Sequence, residues 1–178
     1  MINVKLNNEK TAVIREANIS DAAAVIDYLN QLGGETDFLT FGKNEFYKTV
    51  EEEKQILKEF QEGETMYYLV VEVADRIVGH IDLEGNTKRR MRHNAEFGIG
   101  LLREYWGQGL ATILITEMIA FAKATGILRK INLMCSVNNE KAISLYRKFG
   151  FEIEGTIKED IYVNGQFNDG YWMGLILD

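Results

Sequence analysis

A strand with almost no side chains on one face, running into a glycine turn at the head of a helix, constrains this chain more than any other feature. Residues Glu96 to Thr112 read EFGIGLLREYWGQGLAT. Phe97, Ile99 and Leu101 alternate with Glu96, Gly98 and Gly100, the period of a strand with one buried face and one nearly bare. Bare strand backbone marks a bulge or a place where something approaches closely, and both readings stay open here. Gly107 and Gly109 then precede Leu110, Ile113, Leu114, Met118 and Phe121 at helical spacing, with Gly126 as the stop. The first N–H groups of a helix lack partners and carry partial positive charge, so glycines placed there suit a phosphate or pyrophosphate.

Spacing narrows the choice of ligand. A Walker loop needs Gly-Lys-Ser/Thr, which is absent here. A dinucleotide fingerprint needs a third glycine, but Gly98 and Gly100 put Arg103 at that step, and Gly107 and Gly109 put Thr112 there. Trp106-Gly-Gln-Gly109-Leu-Ala111 instead resembles the Arg/Gln-x-x-Gly-x-Gly/Ala turn of the GNAT superfamily of acetyl-CoA-dependent N-acetyltransferases. Trp106 stands where that family has Arg or Gln. Because the turn works through backbone N–H groups, the change is expected to alter packing rather than pyrophosphate binding. A second block, Ile131 to Phe151, is similar to the family's strand followed by Asn-x-x-Ala-x-x-x-Tyr-x-x-x-Gly-Phe, matched by Asn139, Ala142, Tyr146, Gly150 and Phe151. The two blocks cover roughly a third of the chain.

The resemblance implies an α/β (α+β) fold: a mixed, mostly antiparallel twisted sheet with helices on both faces and a splayed central strand pair. It implies acetyl-CoA as cosubstrate, no metal, and direct attack by a primary amine, a small molecule or a peptide N-terminus, in a ternary complex. The backbone of Ile99, Gly100 and Leu101 falls where the family holds pantetheine. Gly107, Gln108, Gly109, Leu110, Ala111 and Thr112 fall at the pyrophosphate turn. Tyr146 matches the tyrosine that protonates the departing thiolate, and a phenol of pKa about 10 is protonated at neutral pH. Asn139 matches a cofactor-contacting asparagine, and a helix-capping role is equally physical. For the general base, Met134 occupies a position where some relatives carry glutamate. Glu96 is the leading candidate, since alternation projects it from the face shared with Gly98 and Gly100. Asp82 and Glu84 come next, then His80 and His93. Cys135 reads as a buried apolar residue, because direct attack needs no acyl-enzyme. The Tyr-Trp-Gly-x-Gly stretch and Asn164-Gly165 ahead of Asp169 look most like the branch containing ribosomal-protein and polyamine acetyltransferases. Relatives are often dimers, so a homodimer is an expectation. The rival reading is a non-catalytic acyl-CoA sensor that has lost its base.

The remaining sequence is compatible. At 178 residues one domain spanning 1–178 is expected. The net charge of −7 argues against a general nucleic-acid or anionic-membrane binder. No apolar run approaches a membrane span, the start is not a signal peptide, and a lone Cys135 excludes an intrachain disulfide, so cytoplasmic residence is expected. Thr11 to Arg15 reads as a strand, Asn18 to Asp21 as a helix start whose helix ends at Gly33-Gly34, and Asn44 to Phe60 as a second amphipathic helix. The resemblance makes this early region part of the acceptor wall. Met66 to Val73 and Ile77 to Glu84 read as strands around an Ala74-Asp75 turn, the second half-exposed. Gly85 to His93, with Lys88, Arg89, Arg90 and Arg92, is a polar loop that either meets cofactor phosphates or is solvated. Lys130 to Val137 reads as a strand, Asn138 or Asn139 caps a helix to Phe149, and Asn164-Gly165 joins a terminal hairpin.

Overall fold

A computed structural model describes residues 1–178. Eight strands form one sheet. β1 (Ile2–Lys5), β2 (Thr11–Glu16), β3 (Met66–Val73), β4 (Arg76–Gly85) and β5 (Asn94–Leu101) lie side by side in chain order, followed by β6 (Lys130–Ser136), β8 (Gln166–Ile176) and β7 (Glu152–Val163). Every neighbouring pair is antiparallel except β5 with β6, which is parallel. Four helices cover the sheet: α1 (Ala22–Gly33) and α2 (Val50–Glu62) on one face, α3 (Leu110–Ala124) and α4 (Glu140–Lys148) on the other. Side-chain parity shows the division. On β3, Tyr68 meets Phe60 of α2 edge-on at 5.3 Å, whereas Tyr67 stacks on Phe121 of α3 at 4.3 Å. The expected mixed sheet with helices on both faces is the one observed.

Local chemistry sets the ends of the elements. Asn18 and Asp21 form a capping box before α1, and Thr49 with Glu52 forms another before α2. That second box corrects the expected helix from Asn44: α2 begins only at Val50, and Asn44 sits at φ 58° in an irregular segment. The apolar residues read as one helix face serve two structures. Phe46 packs on Phe41 at 5.4 Å and exchanges backbone bonds with the Asn30 amide of α1, while Leu57 belongs to the helix. Residues 2–5 form an edge strand on β2. Asn164 and Gly165 both have positive φ, as the tight hairpin turn between β7 and β8 requires.

The β4 strand is not half-exposed as expected. Ile77 to Ile81 and Leu83 are all buried, because α1 and α2 cover the face that carries His80 and Asp82. His80 accepts that burial because Tyr28 and Asp82 both meet its ring nitrogens.

The parallel pair is short. β5 and β6 match only at Asn94–Lys130, Ala95–Ile131 and Glu96–Asn132, although both strands continue well beyond. The expected splay is therefore present, and it opens at Phe97. No helix is long and apolar enough to cross a membrane.

Candidate active site

The antiparallel ladder between β4 and β5 decides which backbone groups face the gap. Leu102 N–H bonds Val78 at one end and Asn86 N–H bonds Asn94 at the other, each at 2.9 Å. Hydrogen-bonded pairs therefore fall at the even positions, and Gly98 and Gly100 turn their polar groups to Asp82 and His80. Phe97, Ile99 and Leu101 present theirs to the side where β6 has departed. Two expectations are corrected here. Gly100 has no backbone group free for a ligand. Its missing side chain is explained by crowding, since a Cβ there would lie 2.5 Å from Leu32 and 2.9 Å from the Tyr28 hydroxyl. Likewise the face shared by Gly98 and Gly100 is covered rather than bare, with Asp82 Oδ1 2.9 Å from where a Gly98 Cβ would stand. The Leu101 carbonyl is also taken. The Trp106 indole N–H donates to it at 2.7 Å, while Arg103 lies 5.7 Å from the Trp106 ring. The departure from Arg or Gln at this position thus closes the end of β5 onto the turn.

Beyond that closure the turn is open. Gly107 has φ 73° and Gly109 φ 80°, conformations that L side chains rarely adopt, and a Cβ on either would meet nothing within 4 Å. The N–H groups of Gly107, Gln108, Gly109, Leu110, Ala111 and Thr112 form no hydrogen bond within the chain, and the first intrahelical donor is Ile113 to Gly109. Six consecutive donors converge at the head of a 15-residue helix, an arrangement that fits a pyrophosphate. The Gln108 side chain instead holds the turn in place, accepting from Asn7 N–H and donating to the Glu104 carbonyl.

Under the gap lies Tyr146. Its ring meets Phe97 of β5 edge-on at 5.7 Å and Phe151 at 6.1 Å, and Cys135 of β6 is near enough to influence its hydroxyl, so it lies under the two splayed strands on the α4 side. Tyr146 is buried and its hydroxyl has no partner in the chain. Burial, with a smaller contribution from Cys135, raises its pKa above the usual phenol value, so it is a firmly protonated donor. Burial also pushes the Cys135 thiol up to about 11, which leaves it inert at neutral pH. Asn139 caps α4 by accepting from Ala142 N–H at 3.2 Å, with its amide N–H groups still free.

The opposite side of the gap is acidic. Glu96 is exposed, faces Asn132 across the last β5–β6 pair, and forms no ion pair. Met134 is also exposed, on the strand face shared with Asn132. Asp82 lies over Gly98 and approaches His80 Nε2 at 3.3 Å, while Tyr28 Oη is 2.9 Å from His80 Nδ1. Tyr28 Oη and Asp82 Oδ1 thus flank the two ring nitrogens of His80, and the Tyr28 phenol is held protonated by burial and then by the Asp82 charge. The basic loop is elsewhere. Residues 86–93 precede β5 and the glycine turn follows it, so a strand about 26 Å long separates them. Of its two readings the solvated loop stands. His93 lies in that loop and is no candidate for the base, and Glu84 sits two register positions further along the ladder than Asp82, opposite Glu96. No cluster of His, Cys, Asp or Glu is placed to hold a metal ion.

Comparison with known proteins then decides the family. Residues 35–151 match the model of the acetyltransferase (GNAT) family, most of the chain. The chain belongs to the GNAT acetyltransferase family. It is 35% identical over 108 residues to an L-amino acid N-acetyltransferase of Escherichia coli, spanning 61% of this chain and 67% of that one. It is 30% identical over 147 residues to the spermidine N(1)-acetyltransferase of the same organism, spanning 82% and 77%. A crystal structure of a GNAT-family acetyltransferase from Streptococcus pneumoniae superposes with a TM-score of 0.90 at 32% identity, covering 94% of this chain and 99% of that one. As a GNAT enzyme this protein transfers an acetyl group from acetyl-CoA to an amine. What the primary sequence missed was Tyr28, His80 and Asp82 acting as one chain of contacts; the only signal was a histidine and an aspartate two apart on one strand face.

Proposed function

We propose that acetyl-CoA lies with its pyrophosphate on the amides of Gly107 to Thr112 and its pantetheine arm in the gap beside Ile99 and Leu101. The observation that carries this reading is the adjacency of two sets of unpaired backbone groups, one on the released edge of β5 and one at the head of α3. Acetyl-CoA supplies the activated acyl group; the chain supplies orientation and proton movement. Ile99 has both polar backbone groups turned to the gap, and Leu101 has its N–H. Asn139, besides capping α4, has amide N–H groups to offer the cofactor. Glu96 stands at the gap on the acceptor side and accepts the proton that an ammonium must lose before it can attack. Tyr146 donates to the departing sulfur from the α4 side. A free thiol has a pKa near 8.5. A buried phenol gives up its proton to a thiolate only if that thiolate is desolvated too, and the Phe97, Phe151 and Cys135 surroundings provide this. The acceptor and donor groups therefore lie on opposite sides of the sheet, as direct attack within a ternary complex requires.

The relatives' names cover an amino acid and a polyamine, so they fix the acceptor only as an amine. With a buried free thiol and no disulfide, cytoplasmic residence remains the reading we favour. Nothing in the structure favours the non-catalytic sensor. Release of free thiol on incubation with acetyl-CoA and a panel of amines tests the proposal; no release with polyamines, amino acids, aminoglycosides or peptide N-termini contradicts it.

A further inference from the structure

A short loop is tied by hydrogen bonds on either side of the gap and crosses its wide end. Residues 34–42 leave α1 and come back to its last turn, where a Cβ on Gly33 would run into the Gly42 carbonyl. Leu39 and Phe41 pack against the core, so the root of this Ω-loop is held while Asp37 and Phe38 stay exposed. On one side Glu35 Oε2 accepts from the Arg103 N–H at 2.7 Å, and the Glu35 carbonyl accepts from the Arg103 guanidinium. Arg103 lies just beyond the end of β5. On the other side Asp37 Oδ2 accepts from the Asn164 side-chain amide at 3.0 Å, across 127 residues of sequence. Asn164 is in the turn joining β7 to β8, and the register places that turn at the same end of the sheet as Leu101. β6 runs parallel to β5 and pairs with β8 as far as Ser136–Gly170, and the turn lies past Gly170. β5 and β8 stand on opposite sides of β6, so the gap lies between the two anchor points. The loop continues from α1, which covers the Gly100 face, so it crosses on the side of Glu96, opposite Tyr146 and α4. The bond to Asp37 is the only hydrogen bond from the hairpin tip, residues 162–167, to another element.

We propose that Asp37 and Asn164 are specificity-determining residues, whose bond bars the wide end of the acceptor cleft and sorts amines by their length. A compact amine reaches the thioester beneath the bar. An amine at the end of an extended chain must break the bond to let that chain out. This rests on the acetyl-transfer reading and adds to it a limit on what can be joined to the reacting nitrogen. Both residues are exposed, and their side chains make no other hydrogen bond and no ion pair. One exposed hydrogen bond opens readily on the timescale of loop motion, yet it biases the choice between two acceptors by about fivefold.

The test uses two bisubstrate conjugates, in which coenzyme A is joined through its sulfur and an acetyl bridge to the nitrogen of glycinamide or of a glycine-led pentapeptide amide. The two present the same nitrogen and differ in chain length. Calorimetry on the wild type is expected to show the short conjugate bound about fivefold more tightly than the long one. Asp37→Ala and Asn164→Gly each remove that advantage, the second with its turn intact because glycine accepts the φ of 52°. The double variant goes no further than either single one, as the two ends of one bond require. Asp37→Asn, which keeps an accepting oxygen, retains most of the advantage. Equal binding of the two conjugates to the wild type, or a ratio that neither Asp37→Ala nor Asn164→Gly moves, overturns the bar and leaves acetyl transfer intact. If neither conjugate binds the wild type, the acetyl-transfer reading has failed at the gap, and the bar falls with it.

Discussion

Glu96 on β5 and Asn132 on β6 are the last residues to face one another before the two central strands part. The position joins two consequences of one backbone event. Loss of pairing beyond Glu96 frees both backbone groups of Ile99 and the amide of Leu101, and it sets a carboxylate at the edge of the gap that results.

If Glu96 is the base, Glu96→Gln lowers kcat/KM at pH 7 by about a hundredfold, within the usual range for a positioned proton acceptor. The variant then depends on the fraction of amine that is already neutral. Its rate is expected to climb about tenfold per pH unit toward the amine's own pKa near 10, narrowing the gap to the wild type. A variant with the wild-type pH profile removes Glu96 from this role.

For Tyr146→Phe, turnover is expected to fall about tenfold to a hundredfold, with coenzyme A affinity changed less than threefold. Stability should hardly change, because the hydroxyl has no partner in the chain while the ring contacts with Phe97 and Phe151 remain. Unchanged turnover shows that the hydroxyl does not donate to the sulfur.

Gly109→Glu places a side chain at φ 80° and a carboxylate against six unpaired amides. The backbone cost is about 1 kcal/mol, seen as a modest fall in melting temperature. The larger effect is on coenzyme A, whose dissociation constant by calorimetry should rise more than tenfold through repulsion of the pyrophosphate. Unaltered affinity contradicts the assigned turn.

Trp106→Phe keeps the ring and loses the indole N–H that bonds the Leu101 carbonyl. The expected loss is about 1 kcal/mol, or about 3 °C in melting temperature for a protein of this size. Because the variant frees a carbonyl without touching the Gly107–Thr112 amides, coenzyme A affinity should stay within about threefold, measured by the same titration.

Much of this was legible in the sequence because the signals were local. The glycines at 107 and 109, the Asn139 cap and the Asn164-Gly165 turn each state a backbone requirement within a few residues. Elsewhere tertiary contacts overrule the local pattern. Alternation makes Gly98 and Gly100 look bare, since it cannot show that Tyr28, Leu32 and Asp82 arrive from elsewhere to fill their face. β4 looks half-exposed for the same reason, since His80 is polar by composition and buried by virtue of Tyr28, 52 residues earlier. The start of α2 was misplaced because Phe46 continues the apolar period while its backbone bonds to Asn30 instead.

The central claim is that the Gly107–Thr112 amides and the released edge of β5 hold one cofactor together. Amide hydrogen exchange with and without coenzyme A tests it directly. Slowed exchange at Ile99, at Leu101 and across Gly107 to Thr112 is the expected result. Protection confined to other segments, with these amides exchanging as fast as in the free protein, contradicts the account.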